Sequence, residues 1–456
     1  MKIHRIKKGL DIPLVGAPEP IVADGPLAEC ITLYPNEFEG LKPRPLVKPG
    51  DTVRRGSILF YSKKLEALKF RSPAAGTVKE VVFGHRRALE KIVIRVSGAD
   101  EVEPLPRFAA GQIAGLSREA VLALLLDTGY LAHLKQRPFS RVPDPKARPK
   151  SIFVNAMNTA PFQPEAGVVV RGHEAAFQAG LDALTALTSG RVYLCLPGGR
   201  PDLPPALAGA KNAEIHFFEG PHPAGNSSVH LHHIDPIRPN DVVWTVKAVD
   251  LVQIGRLLLD GAMPPDRVIA LGGPGVLDGE RRYCRTRLGS PLEGLLKDKL
   301  AAGEQRIVAG DILAGVQVGV DSSLRFQDSA LCVLPEGRER HFMGWIVPGW
   351  STFSQSRSFL STWLRRRATW ALDTNRHGSP RAMVLTGLYD RFVPMRIMTD
   401  YLVRAVLAHD IDEAVKLGLL ETDPEDFALC AFACPSKMDL VGIIRRGLAE
   451  VEREGI

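Results

Sequence analysis

The residues whose types and spacing invite chemistry are two cysteines near the end of this chain, in "CAFACPSK" at 430–437. Cys430, Cys434 and the following Pro435 have the spacing with which a ferredoxin-type ligand run, C-x-x-C-x-x-C-x-x-x-C-P, finishes. Counted back at that spacing, the two earlier ligand positions fall on Phe427 and Pro424, which cannot bind iron. A stable cluster or structural zinc wants four ligands, and no other cysteine or histidine lies within twenty residues. On ligand count the pair reads as two small buried hydrophobes.

A second candidate is "GPHPAGNSSVHLHH" at 220–233, with His222, His230, His232 and His233. Were this segment a strand, His230 and His232 would share a face and could meet a metal together with His222. Asp235 is the one carboxylate nearby, so ordinary hydrogen bonding is the better reading. "GGPGV" at 272–276 follows a strand-like run as phosphate loops do, but no G-x-x-x-x-G-K-[ST] is present and Pro274 removes an amide that would cradle a phosphate. No Ser–His–Asp or Cys–His signature appears in a recognisable context, and no catalytic residue is assigned. Four of the five tryptophans (Trp345, Trp350, Trp363, Trp370) cluster with Arg357, Arg365, Arg366 and Arg367 in "GWIVPGWSTFSQSRSFLSTWLRRRATW", a composition suited to packing or to docking on a protein or lipid headgroups.

The elements that must position these residues follow from periodicity and punctuation. At 456 residues the chain is too long for one core. Residues 47–96 alternate short β-branched runs with Gly50, Gly56, Gly76 and Gly84, and "KPGDTVRRG" with "SPAAGTV" resemble the two turns of biotinyl/lipoyl carrier domains. Such carriers modify a lysine on the hairpin between these turns. The expected position falls near Leu65, so Lys63, Lys64 and Lys69 are weak candidates and a structural barrel without a swinging arm is expected. From 101 to 262 strands alternate with helices, which implies a mainly parallel, Rossmann-like sheet; Ser117 caps a helix that Gly129 stops. No G-x-G-x-x-G opens it. Residues 263–335 read as a small β-grasp unit, and the rest is mainly helical, with Asp410 and Glu413 forming a capping box and Asp423 capping a helix begun by Pro424. The fold class is α/β multidomain, with boundaries at 1–100, 101–262, 263–335 and 336–456.

Composition narrows the rest. A net charge of +7 with dispersed arginines gives no reason to expect nucleic acid as a partner. Six scattered cysteines fit a reducing compartment. No apolar run approaches the ~20 residues of a spanning helix, and the N-terminus lacks the pattern of a signal peptide.

Taken in order, "IKKGLDIPLVGAPE", "FRSPAAGTV", "RPFSRVP", "IFVNAMNT", "GPHPAG", "RTRLG", "RSFL" and "EDFALCAFACPSK" resemble the A subunits of the bacterial sodium-translocating NADH:quinone oxidoreductases over nearly the whole chain. The same domain order resembles the flavoprotein subunit of respiratory complex I and the C subunit of the Rnf complex. Those relatives hold FMN on a glycine-rich loop and an acidic N-A-D-E turn; here the corresponding positions read "KQRPFS" and "NAMNTAPF". The resemblance therefore implies that Cys430 and Cys434 are the remnant of a cluster site and that this chain binds no cofactor of its own. It implies a peripheral location on the cytoplasmic face of the bacterial inner membrane, within a six-membered complex whose B to F subunits are the partners. That complex passes electrons from NADH through flavins and iron centres on other subunits to ubiquinone and exports Na+. Arg137 and Phe139 in "KQRPFSRVP" are the place to look for quinone proximity. The alternative is a stand-alone flavin or iron–sulfur oxidoreductase.

Overall fold

The computed structural model describes residues 2–38, 40–339, 342–344, 346–364, 368–384 and 387–455. Trp345 and Arg365, Arg366 and Arg367 lie outside the described residues.

The central sheet runs, in spatial order, Lys2–Arg5, Glu214–Glu219, Arg191–Pro197, Ser151–Asn155, Val243–Lys247 and Lys135–Arg137. The first five strands are parallel and the sixth is antiparallel. The Ser151–Asn155 strand is buried along its whole length, as a doubly covered parallel strand must be. Helices Glu174–Leu187 and Ala248–Asp260 supply apolar faces to the larger core. The expected cap and stop of the Arg118–Thr128 helix are both seen: Ser117 accepts from the Ala120 N–H, and Gly129 is left-handed.

The chain reaches this sheet by an indirect route. Its first strand joins the Rossmann-like sheet beside Glu214–Glu219, and Glu19–Asp24 pairs with Arg282–Thr286 in the β-grasp sheet. Only then does the barrel begin at Cys30–Leu33, its two antiparallel layers closed over Ile31, Leu59, Phe70, Ile92 and Ile94. Lys63 and Lys64 turn the hairpin between Ile58–Ser62 and Leu65–Arg71, while Lys69 is paired with Asp127 at 2.8 Å.

One segment departs from its sequence reading. His230 and His232 lie on a helix, Ser227–Ile234, not on a strand. The strands that end at Glu219 and begin at Val243 are both parallel to Ser151–Asn155, so the link between them must travel back the length of the sheet. A helix makes that return with its backbone satisfied.

Three domains meet at one polar knot. Asp250 Oδ1 lies 2.9 Å from His133 Nδ1 and 3.2 Å from Arg267 Nη2, all three buried. Burial opposes the charge of Asp250, but His133 and Arg267 outweigh it and hold its carboxyl below the usual range. Arg267 also donates to the Phe326 carbonyl at 2.6 Å, and the Phe326 ring stacks on His133 while meeting Phe38 of the barrel edge-on. Replacing Asp250 with Ala strands a buried guanidinium, and a loss of roughly 3–5 kcal/mol is expected from urea unfolding of the variant; a loss below about 1 kcal/mol would show that the knot is not a determinant of stability.

Candidate functional site: the strand ends and the buried arginine cluster

In an open parallel sheet, ligands bind in the crevice beyond the carboxyl ends of the strands. Here those ends are Asn155, Pro197, Glu219 and Lys247. The loops that leave them are tied to one another. Asn155 Nδ2 donates to the Gly225 carbonyl at 2.8 Å and to Ser227 Oγ at 3.1 Å, and the Gly225 N–H donates to Thr159 Oγ1 at 2.9 Å. Thr159 then has its proton left for His222 Nδ1, 3.1 Å away.

The N-terminal segment crosses above this layer. Asp11 Oδ1 accepts from the His222 N–H at 2.8 Å, and the Leu10 N–H donates to the His222 carbonyl at 2.8 Å. At Gly9, with φ +131°, a Cβ would sit 2.1 Å from the His222 carbonyl oxygen, so only glycine permits the approach. The "GPHPAG", "NAMNT" and "GLD" stretches thus occupy the strand-end crevice with the chain's own backbone. The amides of "GGPGV" are similarly engaged: the Gly273 N–H donates to the Gly16 carbonyl at 2.8 Å and the Gly275 N–H to the Val333 carbonyl at 2.9 Å.

Beside this crevice the C-terminal domain docks. Arg137, at the end of the edge strand Lys135–Arg137, is 1% exposed. Its Nη1 donates to Ser228 Oγ at 2.8 Å and faces Asp423 Oδ2 at 3.3 Å; its Nη2 donates to the carbonyls of Thr422 at 2.6 Å and Glu421 at 3.1 Å. Phe139, with positive φ, is half-buried against the second core, and Ser140 donates to Asp423. Asp423 stands at the N-cap position of the turn at Pro424–Phe427, but its carboxylate is spent on Arg137 and Ser140, and the side-chain bond at this end runs from its own N–H to Asp426 Oδ2 at 2.7 Å. Asn226 Nδ2 donates to Asp426 Oδ1 at 2.9 Å. This turn is a 3-10 turn, and the α-helix proper is Ala428–Ala433.

The carboxyls of this turn have divergent chemistry. Burial works against the charge of Asp423, but Arg137 and Lys135 with the Ser140 hydroxyl hold its carboxyl below the usual range. Glu425 is pushed up to about 7 by burial and then by the Asp423 charge, and Asp426 to about 6 by the same two causes.

The histidines go to separate partners. His232 Nε2 accepts from the Arg396 N–H at 3.0 Å, which places its proton on Nδ1, 2.6 Å from Glu421 Oε2. His230 Nε2 lies 3.0 Å from the Ala224 carbonyl, and burial lowers its pKa to about 3. Among the described residues no group of three or more His, Cys, Asp or Glu is arranged to hold a metal. Cys430 and Cys434 are fully buried beside Tyr389: the Tyr389 hydroxyl is 2.9 Å from Cys434 Sγ, and Cys430 Sγ lies 3.7 Å from the Tyr389 carbonyl. Burial pushes the Cys430 thiol well above its ordinary value, which favours a neutral thiol over the thiolate a metal requires.

Of the residues singled out in sequence, the structure brings Arg137 and His232 to one interface and leaves His222 under the N-terminal segment. Sequence reasoning missed Asn226, Ser228, Glu425 and Asp426. The signal available was the acidic run "DPED", three carboxyls in four residues before an apolar helix.

The chain thus joins a barrel-sandwich, a Rossmann-like domain whose strand ends are covered by its own loops, and a β-grasp domain. Residues 4–97 match the family described as the NqrA N-terminal barrel-sandwich hybrid domain, 116–263 the NqrA second alpha/beta domain, and 268–319 the NQRA C-terminal domain. The chain is 39% identical over 451 residues to the A subunit of the Na(+)-translocating NADH-quinone reductase of Vibrio parahaemolyticus, covering 99% of each chain. It is 39% identical to the corresponding protein of Yersinia pseudotuberculosis and 40% identical to that of Photorhabdus laumondii, covering 99% of this chain and all of each relative. A chain of an NAD+-reducing [NiFe]-hydrogenase overlays with a TM-score of 0.41 at 12% identity, over 76% of this chain and 63% of that one, a likeness too distant to bear on function. The chain belongs to the NqrA family, the A subunits of the Na+-translocating NADH-quinone reductase.

The raised carboxyls carry a pH signature. Glu425 and Asp426 bind protons more tightly folded than unfolded, so their contribution is fully present below about pH 4 and is lost as pH rises through 6 to 7. Glu425→Gln is expected to flatten the fall in melting temperature between acidic and mildly alkaline buffer; a slope unchanged from the parent protein counts against a titrating Glu425.

Proposed function

We propose that this chain serves as the A subunit of a sodium-translocating NADH:ubiquinone reductase, peripheral on the cytoplasmic face of the inner membrane. It docks near the quinone end of the electron path and holds no redox cofactor of its own. The observation that carries the reading is identity of 39–40% to A subunits over 99% of the chain. In the complex, NADH and ubiquinone are the substrates, flavins and iron centres reside on other subunits, and Na+ export is coupled to the electron flow.

The absence of a resident cofactor is supported by what fills the two places where one would sit. The strand-end crevice is crossed by the 9–11 and 220–225 segments, whose amides and carbonyls are spent on each other. A flavin placed there would meet the backbone contact at Gly9, where a Cβ would lie 2.1 Å from the His222 carbonyl oxygen. The "CAFAC" helix offers two buried thiols, and among the described residues no group of three or more His, Cys, Asp or Glu is arranged to hold a metal there. Arg137 and Phe139 act in this reading as positioning residues: the guanidinium locks the C-terminal domain to the sheet edge, and any contribution to the quinone site runs through that docking. Among the described residues no helix is long and apolar enough to cross a membrane, which fits attachment through partner subunits. The alternative, a stand-alone flavin or iron–sulfur oxidoreductase, has no comparable support.

The test is affinity purification of the tagged chain from membranes, with partner identification and a visible spectrum of the chain alone. The expected outcome is co-purification with the other pump subunits and a colourless isolated protein. Flavin absorbance or stoichiometric iron in the isolated chain would favour the alternative.

A further inference from the structure

After the β-grasp strand Ala330–Pro335 the chain makes an excursion that meets the body again at Phe353, whose ring lies 6.2 Å from that of Phe432, and at Trp370, which exchanges backbone hydrogen bonds with Pro13 and Val15. The stem of this excursion is closed by Thr374. Its N–H donates to the Pro335 carbonyl at 3.2 Å, its hydroxyl donates to Glu336 Oε1 at 2.6 Å and accepts from the Gly337 N–H at 3.0 Å. Farther out a second closure forms: the Leu360 N–H donates to the Pro348 carbonyl at 2.9 Å and Ser361 Oγ to the Thr352 carbonyl at 2.6 Å. A loop pinned twice is a built surface, and long ordered loops are where binding is commonly placed.

What it presents is apolar. Phe342 is 90% exposed, Trp363 68% and Trp350 60%, with Ile346, Val347 and Leu364 exposed beside them. Of the twenty large apolar side chains that stand out from the surface among the described residues, nine belong to 342–384, about a tenth of the chain. An open cleft of about 510 Å³ is lined by apolar residues that include Ile346, Leu360 and Trp363 and by Ser354, Ser356 and Ser358. Apolar density of this kind marks a surface that something covers.

Charge decides between a bilayer and a protein. From 340 to 381 the sequence carries seven arginines, no lysine and one acidic residue, Asp373. Protein interfaces also enrich tryptophan and arginine, but seven arginines against one carboxylate call for a counter-surface that is anionic throughout, which the headgroup layer of an anionic bilayer supplies. Tryptophan interleaved with arginine is the composition of side chains that lodge at headgroup level, the ring at the acyl boundary and the guanidinium on phosphate. We propose that the excursion is a bilayer-docking surface that seats Phe342, Trp350 and Trp363 in the headgroup layer of an anionic membrane. It rests on the proposed role in the sodium pump only in taking that membrane to be the one holding the pump.

The experiment is co-flotation of the purified full-length chain with vesicles of phosphatidylglycerol and phosphatidylethanolamine in equal parts, against phosphatidylcholine vesicles. Binding to the anionic vesicles alone, weakened by salt, is expected. W350A/W363A, both exposed and so compatible with folding as checked by circular dichroism, is expected to weaken it by about tenfold or more. No binding to anionic vesicles, equal binding to neutral ones, or full binding by the double variant would each overturn the proposal. So would a double variant that binds vesicles normally yet no longer co-purifies with pump subunits, because that outcome assigns the patch to a protein partner. Vesicle binding without any pump subunit in the co-purification would instead sink the proposed role in the pump and leave the docking surface standing.

Discussion

A guanidinium with no access to water is the constraint on which the rest of this architecture turns. Arg137 is shut off from water, so the acceptors around it must be supplied by protein in a fixed geometry. Two backbone carbonyls, a serine hydroxyl and Asp423 supply it, and three of these four come from the 421–423 segment. The C-terminal domain is therefore registered against the edge of the Rossmann-like sheet by hydrogen-bond geometry as well as by apolar area. Arg267 repeats the device between the β-grasp domain and the Rossmann-like domain through Asp250 and the Phe326 carbonyl. Two buried arginines thus hold three domains in one arrangement.

Among the described residues the ends of the parallel strands are covered by the N-terminal segment and by the loops that follow the strands. Glycine at position 9 lets one backbone lie directly on another, and the loops after the strands satisfy each other's polar groups. The scaffold has the parallel sheet of a nucleotide binder, while the space beyond its strand ends is spent on packing. The same economy appears at Cys430 and Cys434, whose sulfurs face a tyrosine in an apolar core.

The excursion after Pro335 departs from that closure. It is held at its stem yet carries aromatic rings and, among its described arginines, Arg357, Arg376 and Arg381 outward, the reverse of the burial pattern elsewhere. With the strand-end loops spent on one another, an added segment of this kind is a place for external contacts. Its charge, seven arginines against one carboxylate between 340 and 381, gives those contacts a preferred sign.

Local elements and family membership are written in the order of the residues. The cap at Ser117, the stop at Gly129, the strand at "SIFVN" and the turn that opens at Asp423 all depend on residues within a few positions of one another, and all are seen. Eight motifs in one order suffice to carry the family. Long-range features belong to the packing of layers instead. The helix at Ser227–Ile234 stands where a strand could have been read because the sheet demands a return path, a property of strand direction that no local pattern encodes. The first 24 residues join two sheets that form much later in the chain. Arg137 looks like a loop charge in sequence and is a buried anchor in the fold, because its partners lie about 90 and 285 residues away. Pairings at such separations are set by how layers close on one another, and a single sequence does not display them.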